Sequence, residues 1–219
     1  MKRIFFILPA LFFYTEIIAQ NSFGLKLAYN SATATKPVKY ADTKSIDRFQ
    51  LGIFGKLDVY KHFFLRGIIT YNQKGNFYSD MYYIADGGKS VTVKLNYLEA
   101  SVDLGYSIKL IGKHKILVGA GPYLAYGLNG TEKGIGESLM GPIAIDRKVK
   151  FTNSDYYDGT KMTVQPIDAG LNLNVGYQYR KYGIFFNYGF GLTNRQNEGT
   201  SMNKSYNRVA SVGVSYNIK

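Results

Sequence analysis

The sequence predicts an all-β fold: an eight-stranded antiparallel up-and-down transmembrane β-barrel with long extracellular loops and short periplasmic turns. Three observations predict it. Apolar residues alternate with small or polar ones at period two, as in "DAGLNLNVGYQYRKYGIFFNYGFGLTN" (168–194). The connections between such segments alternate long and short from end to end. The faces opposite the apolar ones are Gly and Asn with few charges, which suits a narrow crowded interior better than a surface against bulk water.

The chain opens with a targeting segment. Lys2 and Arg3 precede an apolar run, Ile4 to Tyr14, broken only by Pro9, and Ala19 offers a small residue before Gln20. Residues 1–19 are read as a cleaved signal peptide and 20–219 as one barrel domain. Removing Lys2, Arg3 and Glu16 changes the net charge from +12 to +11. The mature chain has no apolar window long enough for a transmembrane helix. Twenty Tyr, 24 Gly and no Cys or Trp favour strands and turns and exclude disulfides, thiol catalysis and Cys-based metal sites.

Eight strands follow in order: 22–30, 47–59, 63–74, 92–108, 115–128, 163–179, 183–194 and 205–218. The even count puts both termini on the periplasmic side. In the second strand Phe49, Leu51, Ile53, Leu57 and Val59 share a face; in the third, Phe63, Leu65, Ile69 and Tyr71; in the fifth, Ile116, Val118, Ala120, Leu124, Tyr126 and Leu128. In the sixth, Ile167 to Tyr179 at odd positions oppose Asp168 to Gln178, and the seventh repeats the pattern. These apolar sets are expected to face lipid, with Tyr60, Tyr177, Tyr179 and Tyr182 as an aromatic girdle near the turns. The fourth strand changes phase near Tyr97, which calls for a bulge or for an upper part that projects beyond the membrane.

The segments "YLEASVDLGY" (97–106), "GAGPYLAYGL" (119–128), "DAGLNLNVGYQY" (168–179), "IFFNYGFGLTN" (184–194) and "VASVGVSYNI" (209–218) resemble successive strand motifs of the PorT-like outer-membrane β-barrel family, common in Bacteroidetes. The resemblance spans nearly the whole mature chain. It implies an eight-stranded barrel in the outer membrane and no single activity, although the family's namesake is linked to the type IX secretion system. The last strand departs from the usual assembly signal, since Ile218 stands where an aromatic residue is common and Lys219 follows.

Parity places Lys56, Arg66, Lys74, Glu99, Asp103 and Asp168 inside, with Asn172, Asn174 and Asn187. Charges in a narrow lumen must pair or cost several kcal/mol each. The expectation is therefore an internal network of Lys56, Arg66, Glu99, Asp103 and Asp168, pairing Arg66 and Lys56 with Glu99 and Asp103. Catalytic, cofactor and metal sites are expected to be absent. The two histidines, His62 and His114, fall in periplasmic turns without a Ser and acid beside them. "GTEKGIGESLMG" (130–141) lacks the strand and helix context of a phosphate loop and reads as loop flexibility.

The long segment 75–91 is dense in aromatics, and Phe77, Tyr78, Tyr82 and Tyr83 form a candidate loop binding surface, the alternative being that they pack over the barrel mouth. Lys61, Lys109, Lys113, Lys115, Arg180 and Lys181 lie in the turns, beside anionic lipid or acidic periplasmic partners. The expected function is a non-enzymatic outer-membrane protein with a structural or interaction role, accessory to secretion or assembly in one version. The alternative is a small pore or ligand passage. Expected partners are outer-membrane lipid, lipopolysaccharide and envelope proteins, not nucleic acid, with a monomer in the membrane.

Overall fold

The computed structural model describes residues 22–35, 42–79, 89–138, 141–153, 162–196 and 204–218. The expected signal segment, and Tyr82 and Tyr83 of the candidate loop surface, lie outside them. Among the described residues there are eleven strands: β1 (Ser22–Ala34), β2 (Asp42–Lys44), β3 (Ile46–Tyr60), β4 (Phe63–Ser79), β5 (Lys89–Lys109), β6 (His114–Ser138), β7 (Gly141–Phe151), β8 (Met162–Val164), β9 (Ile167–Tyr179), β10 (Tyr182–Gly191) and β11 (Asn207–Asn217). Eight of them close a ring in the order β1, β3, β4, β5, β6, β9, β10, β11 and back to β1, every pair antiparallel. A closed ring leaves no unpaired backbone edge to desolvate.

The ring strands correspond to the eight segments of alternating pattern, and their faces divide as the pattern requires. Leu104, Leu124, Ile184 and Val212 are 58–60% exposed on the outside, whereas the inward Phe64, Asn30 and Asp103 are fully buried. An apolar outside with a polar inside is the arrangement of a barrel solvated by lipid. Tight turns join β3 to β4 and β9 to β10. Their first residues, Lys61 and Arg180, sit at φ 48° and 53°, a region usually left to glycine in two-residue hairpins. At this turn end Tyr182 packs on Tyr216, Phe63 on Tyr106 and His114 on Tyr179, at centroid distances of 5.4, 5.1 and 4.6 Å, forming an aromatic rim.

The phase change near Tyr97 has two parts. β5 keeps its backbone parity throughout, but below Tyr97 the inward residues are Glu99, Ser101 and Asp103, and above it they are Val91, Val93 and Leu95, each at most 1% exposed. The hydrophobic pattern inverts because the outside changes from lipid to water. The bulge lies on the partner strand, where pairing jumps from Tyr97–Gly127 to Asn96–Asn129 and leaves Leu128 extra.

Above this level the upper ends of β4, β5 and β6 continue as an extension. β7 joins β6 from Gly130 upward, after β9 has left it at Tyr126, and β8 lies parallel to β7. Tyr78, Val91, Val93, Leu95, Tyr97, Tyr123, Val149 and Val164 form a dry core between these strands. The short β2 pairs with the end of β4.

This corrects the expectation of one long loop over 129–162, which contains the end of β6, all of β7 and the start of β8. "GTEKGIGESLMG" is likewise strand up to Ser138, not flexible loop. Its glycines serve close approach: a Cβ on Gly134 would stand 2.0 Å from the Ser90 carbonyl oxygen, and one on Gly130 would stand 2.6 Å from that of Lys94.

Candidate functional site

The side chains with the most chemistry project into the lumen. Inward parity fixes this on β4 for Arg66, Asn72 and Lys74, on β5 for Glu99 and Asp103, and on β9 for Asp168, Asn172 and Asn174. Registry then sorts the ions. Arg66 stands directly opposite Lys56 on β3 and opposite Asp103 on β5. Like charges across a strand pair repel and unlike charges attract. Arg66 accordingly donates to Asp103 Oδ2 from Nη2 at 2.9 Å and from Nε at 3.3 Å, with Asn174 bonded to both partners.

Lys56 bonds Asp58 at 2.8 Å, two residues along its own strand. The expected pairing of Lys56 with Glu99 or Asp103 is therefore corrected: its neighbour across the ladder is a cation, and Asp103 is already engaged by Arg66.

Glu99 and Asp168 meet on Lys74 instead. The Lys74 ammonium lies 2.8 Å from Glu99 Oε2 and 2.8 Å from Asp168 Oδ2, with all three side chains at most 6% exposed. It also sits over the Tyr123 and Tyr97 rings, at 4.2 and 5.3 Å. Each carboxylate is further bonded. Asp168 accepts from Asn207 at 3.0 Å, Thr193 at 3.2 Å and the Tyr123 hydroxyl at 3.3 Å. Glu99 accepts from Asn72 at 2.9 Å and Asn172 at 3.5 Å. Asn30 donates to Asn72 at 2.9 Å, and Asn187 to Asn172 at 3.4 Å. Groups from β1, β4, β5, β6, β9, β10 and β11 are thus linked straight across the lumen.

One ammonium between two carboxylates leaves a negative charge. Arg195, buried in the segment after β10, stands next to it: its guanidinium donates to Asn207 at 3.5 Å and to the Tyr78 hydroxyl at 3.2 Å, and Asn207 in turn donates to Asp168. Removing any one member of such a buried, hydrogen-bonded cluster leaves the others unpaired at high cost, so the cluster acts as a crossbridge of the lumen.

Sequence parity placed Lys74 inside but did not identify it as the hub, because its partners depend on registry across three strands. Arg195 lies beyond the last periodic residue, where alternation carries no information. The other candidate surface divides. Phe77 is half-buried on β4, whereas Tyr78 is buried beneath Arg195 and cannot contribute to an exposed binding surface. Among the described residues no group of three or more His, Cys, Asp or Glu side chains is arranged to hold a metal ion.

Residues 18–197 match the family model described as outer membrane protein beta-barrel domain. Several solved structures are similar in fold. Ail of Yersinia pestis is 10% identical over 90% of this chain and 99% of its own, with a TM-score of 0.43. Neisserial surface protein A is 16% identical over 89% and 96%, at 0.44. OprG of Pseudomonas aeruginosa is 9% identical over 90% and 94%, at 0.47. No curated protein matches the sequence. With the greater part of its length under the family model and eight strands closed in a lipid-type ring, the chain belongs to the outer-membrane β-barrel domain family.

Proposed function

We propose that this protein is a non-enzymatic outer-membrane barrel with a structural or interaction role in the cell envelope, its lumen closed to solutes. The observation that carries the reading is the crossbridge centred on Lys74, which spans the lumen and has the dry core of the extension directly above it. A solute passing through would have to break both. What the molecule offers to partners is then its outside: the β5–β7 extension standing beyond the lipid band, and the basic, aromatic turn end.

The PorT-like strand motifs support the finer version, an accessory of a secretion or assembly system, exported through a signal peptide at 1–19 and monomeric in the membrane. Outer-membrane lipid and lipopolysaccharide are its expected surroundings. Planar-bilayer recording of the purified protein tests the closed lumen: silence is expected, and reproducible ohmic steps refute it in favour of a small pore. Cross-linking in intact cells and capture of the tagged protein test the interaction role. A reproducible near-stoichiometric envelope partner is expected, and recovery of the barrel alone at normal abundance counts against it.

A further inference from the structure

Between the Lys74 crossbridge and the turns the lumen holds a cavity of about 40 Å³. Three cations line it, Lys26, Lys56 and Arg66, against one carboxylate, Glu99, which Lys74 and Asn72 already engage. Arg66 and Lys56 have acidic partners in Asp103 and Asp58, but among the described residues Lys26 has no carboxylate within ion-pair distance. Aromatic faces hold these cations instead. The Lys26 ammonium lies 4.5 Å from the centre of the Phe185 ring, and Lys56 and Arg66 flank Phe64 at 5.3 and 5.7 Å. A ring face attracts a cation without neutralising it. The cavity lining therefore carries three cations to one carboxylate, a local excess of positive charge that a bound anion would offset.

We propose that this half of the lumen binds a small inorganic oxyanion, held by Lys26 together with Arg66 and Lys56. The amide nitrogens of Asn172, Asn174 and Gln178 also line it; they already donate to Glu99, Asp103 and the Arg180 carbonyl, and each has a second N–H to offer. Size sets the class. At about 13 Å³ per enclosed water, the cavity takes roughly three waters or one ion of a few heavy atoms, which excludes nucleotides, sugars and lipid headgroups. Gln178 and Asn217, near the turns, also line it, so the anion enters from that end and meets the Lys74 crossbridge as a dead end.

The experiment uses protein refolded from denaturant into detergent micelles free of lipopolysaccharide, with inorganic phosphate as the probe. Phosphate is compared with chloride at equal ionic strength by thermal unfolding, and its binding is measured by equilibrium dialysis. Saturable binding with a higher melting temperature in phosphate is expected. Lys26→Gln should weaken it by about tenfold or more, the worth of one charge-assisted hydrogen bond. Lys26→Arg, which keeps the charge, should retain it and serves if Lys26→Gln does not fold. Lys133→Gln, on the exposed face of the extension, should bind as the parent does. Equal behaviour in phosphate and chloride, or unchanged binding in Lys26→Gln, overturns the proposal. A protein that conducts in bilayers yet binds phosphate through Lys26 refutes the closed lumen and leaves this site standing.

Discussion

Replacing Lys74 by Met tests the crossbridge directly, because the side chain is nearly isosteric and loses only its charge and its donors. In the parent, Glu99 Oε2 and Asp168 Oδ2 each lie 2.8 Å from the ammonium, so the two carboxylates stand no more than twice that distance apart. Without the ammonium they face each other almost fully buried. At an effective dielectric of about 20 their repulsion alone is about 3 kcal/mol. Removal of one partner from a buried ion pair costs about 3–5 kcal/mol in general. The expected loss for Lys74→Met is therefore about 3–5 kcal/mol.

The assay is reversible urea unfolding of the barrel in lipid vesicles, followed by circular dichroism because the chain has no Trp. The triple variant Lys74→Met/Glu99→Gln/Asp168→Asn removes all three charges together and should return to within about 1 kcal/mol of the parent, since neutral replacement of a whole buried cluster is often tolerated. A single variant within about 0.5 kcal/mol of the parent, or a triple variant no better than the single, refutes the reasoning, because Lys74 would then be solvated or bound elsewhere.

The remaining predictions test packing, depth and registry. A Cβ on Gly105 would stand 2.1 Å from the fully buried Phe64 ring, so Gly105→Ala should destabilise, and Gly105→Ala with Phe64→Leu should recover part of the loss in a double-mutant cycle by urea unfolding. Leu104→Lys, in the lipid band, should cost about 2–4 kcal/mol, whereas Ile135→Lys, equally exposed but on the extension, should change stability by under about 0.5 kcal/mol in the same vesicle assay. Lys56→Gln should cost under about 1 kcal/mol, because its partner Asp58 is 29% exposed; a loss as large as that of Lys74→Met would mean that Lys56 belongs to the crossbridge after all.

Alternation made the ring legible because the barrel's outside and inside differ in the same sense along every strand within lipid. Phe186, Leu173 and Leu51 read outward and Asn187, Asn172 and Arg66 inward by parity alone. That signal fails where the solvent changes. Val91, Val93 and Leu95 belong to the same strand face as Glu99 and Asp103, yet their polarity is that of a water-soluble sheet, so the pattern shows a phase change near Tyr97 within 92–108, while on the partner strand the reading stops at 128 and takes the region beyond for loop. β7 is lost for the same reason, its "IAIDRKVK" mixing an inner Val149 with outer Lys148 and Lys150. Pairing inside the lumen was legible only where partners are direct ladder neighbours, as Arg66 and Asp103 are. The Lys74 contacts run diagonally and across the ring, and registry of that kind is set by the shear of the closed sheet rather than by any one segment.

The place of the inversion also bears on what the barrel can do. A polar interior is needed only where lipid surrounds the sheet, because there the apolar residues are drawn outward and polar ones are left to fill the inside. Above Tyr97 water surrounds the sheet, apolar residues turn inward, and the interior closes on itself as an ordinary hydrophobic core. Lys74, with the Tyr97 and Tyr123 rings against its charge, stands where the two interiors meet. An ion moving up the lumen would leave Glu99 and Asp168 and meet a packed interior in which Val91, Val93 and Leu95 are buried together with Asn76, Glu132 and Arg195, with no open path between them. The barrier to conduction is therefore built from the dry core as much as from the ion cluster. Neutralising Lys74 alone should destabilise the protein without opening it, and conduction should require that the extension itself be disrupted.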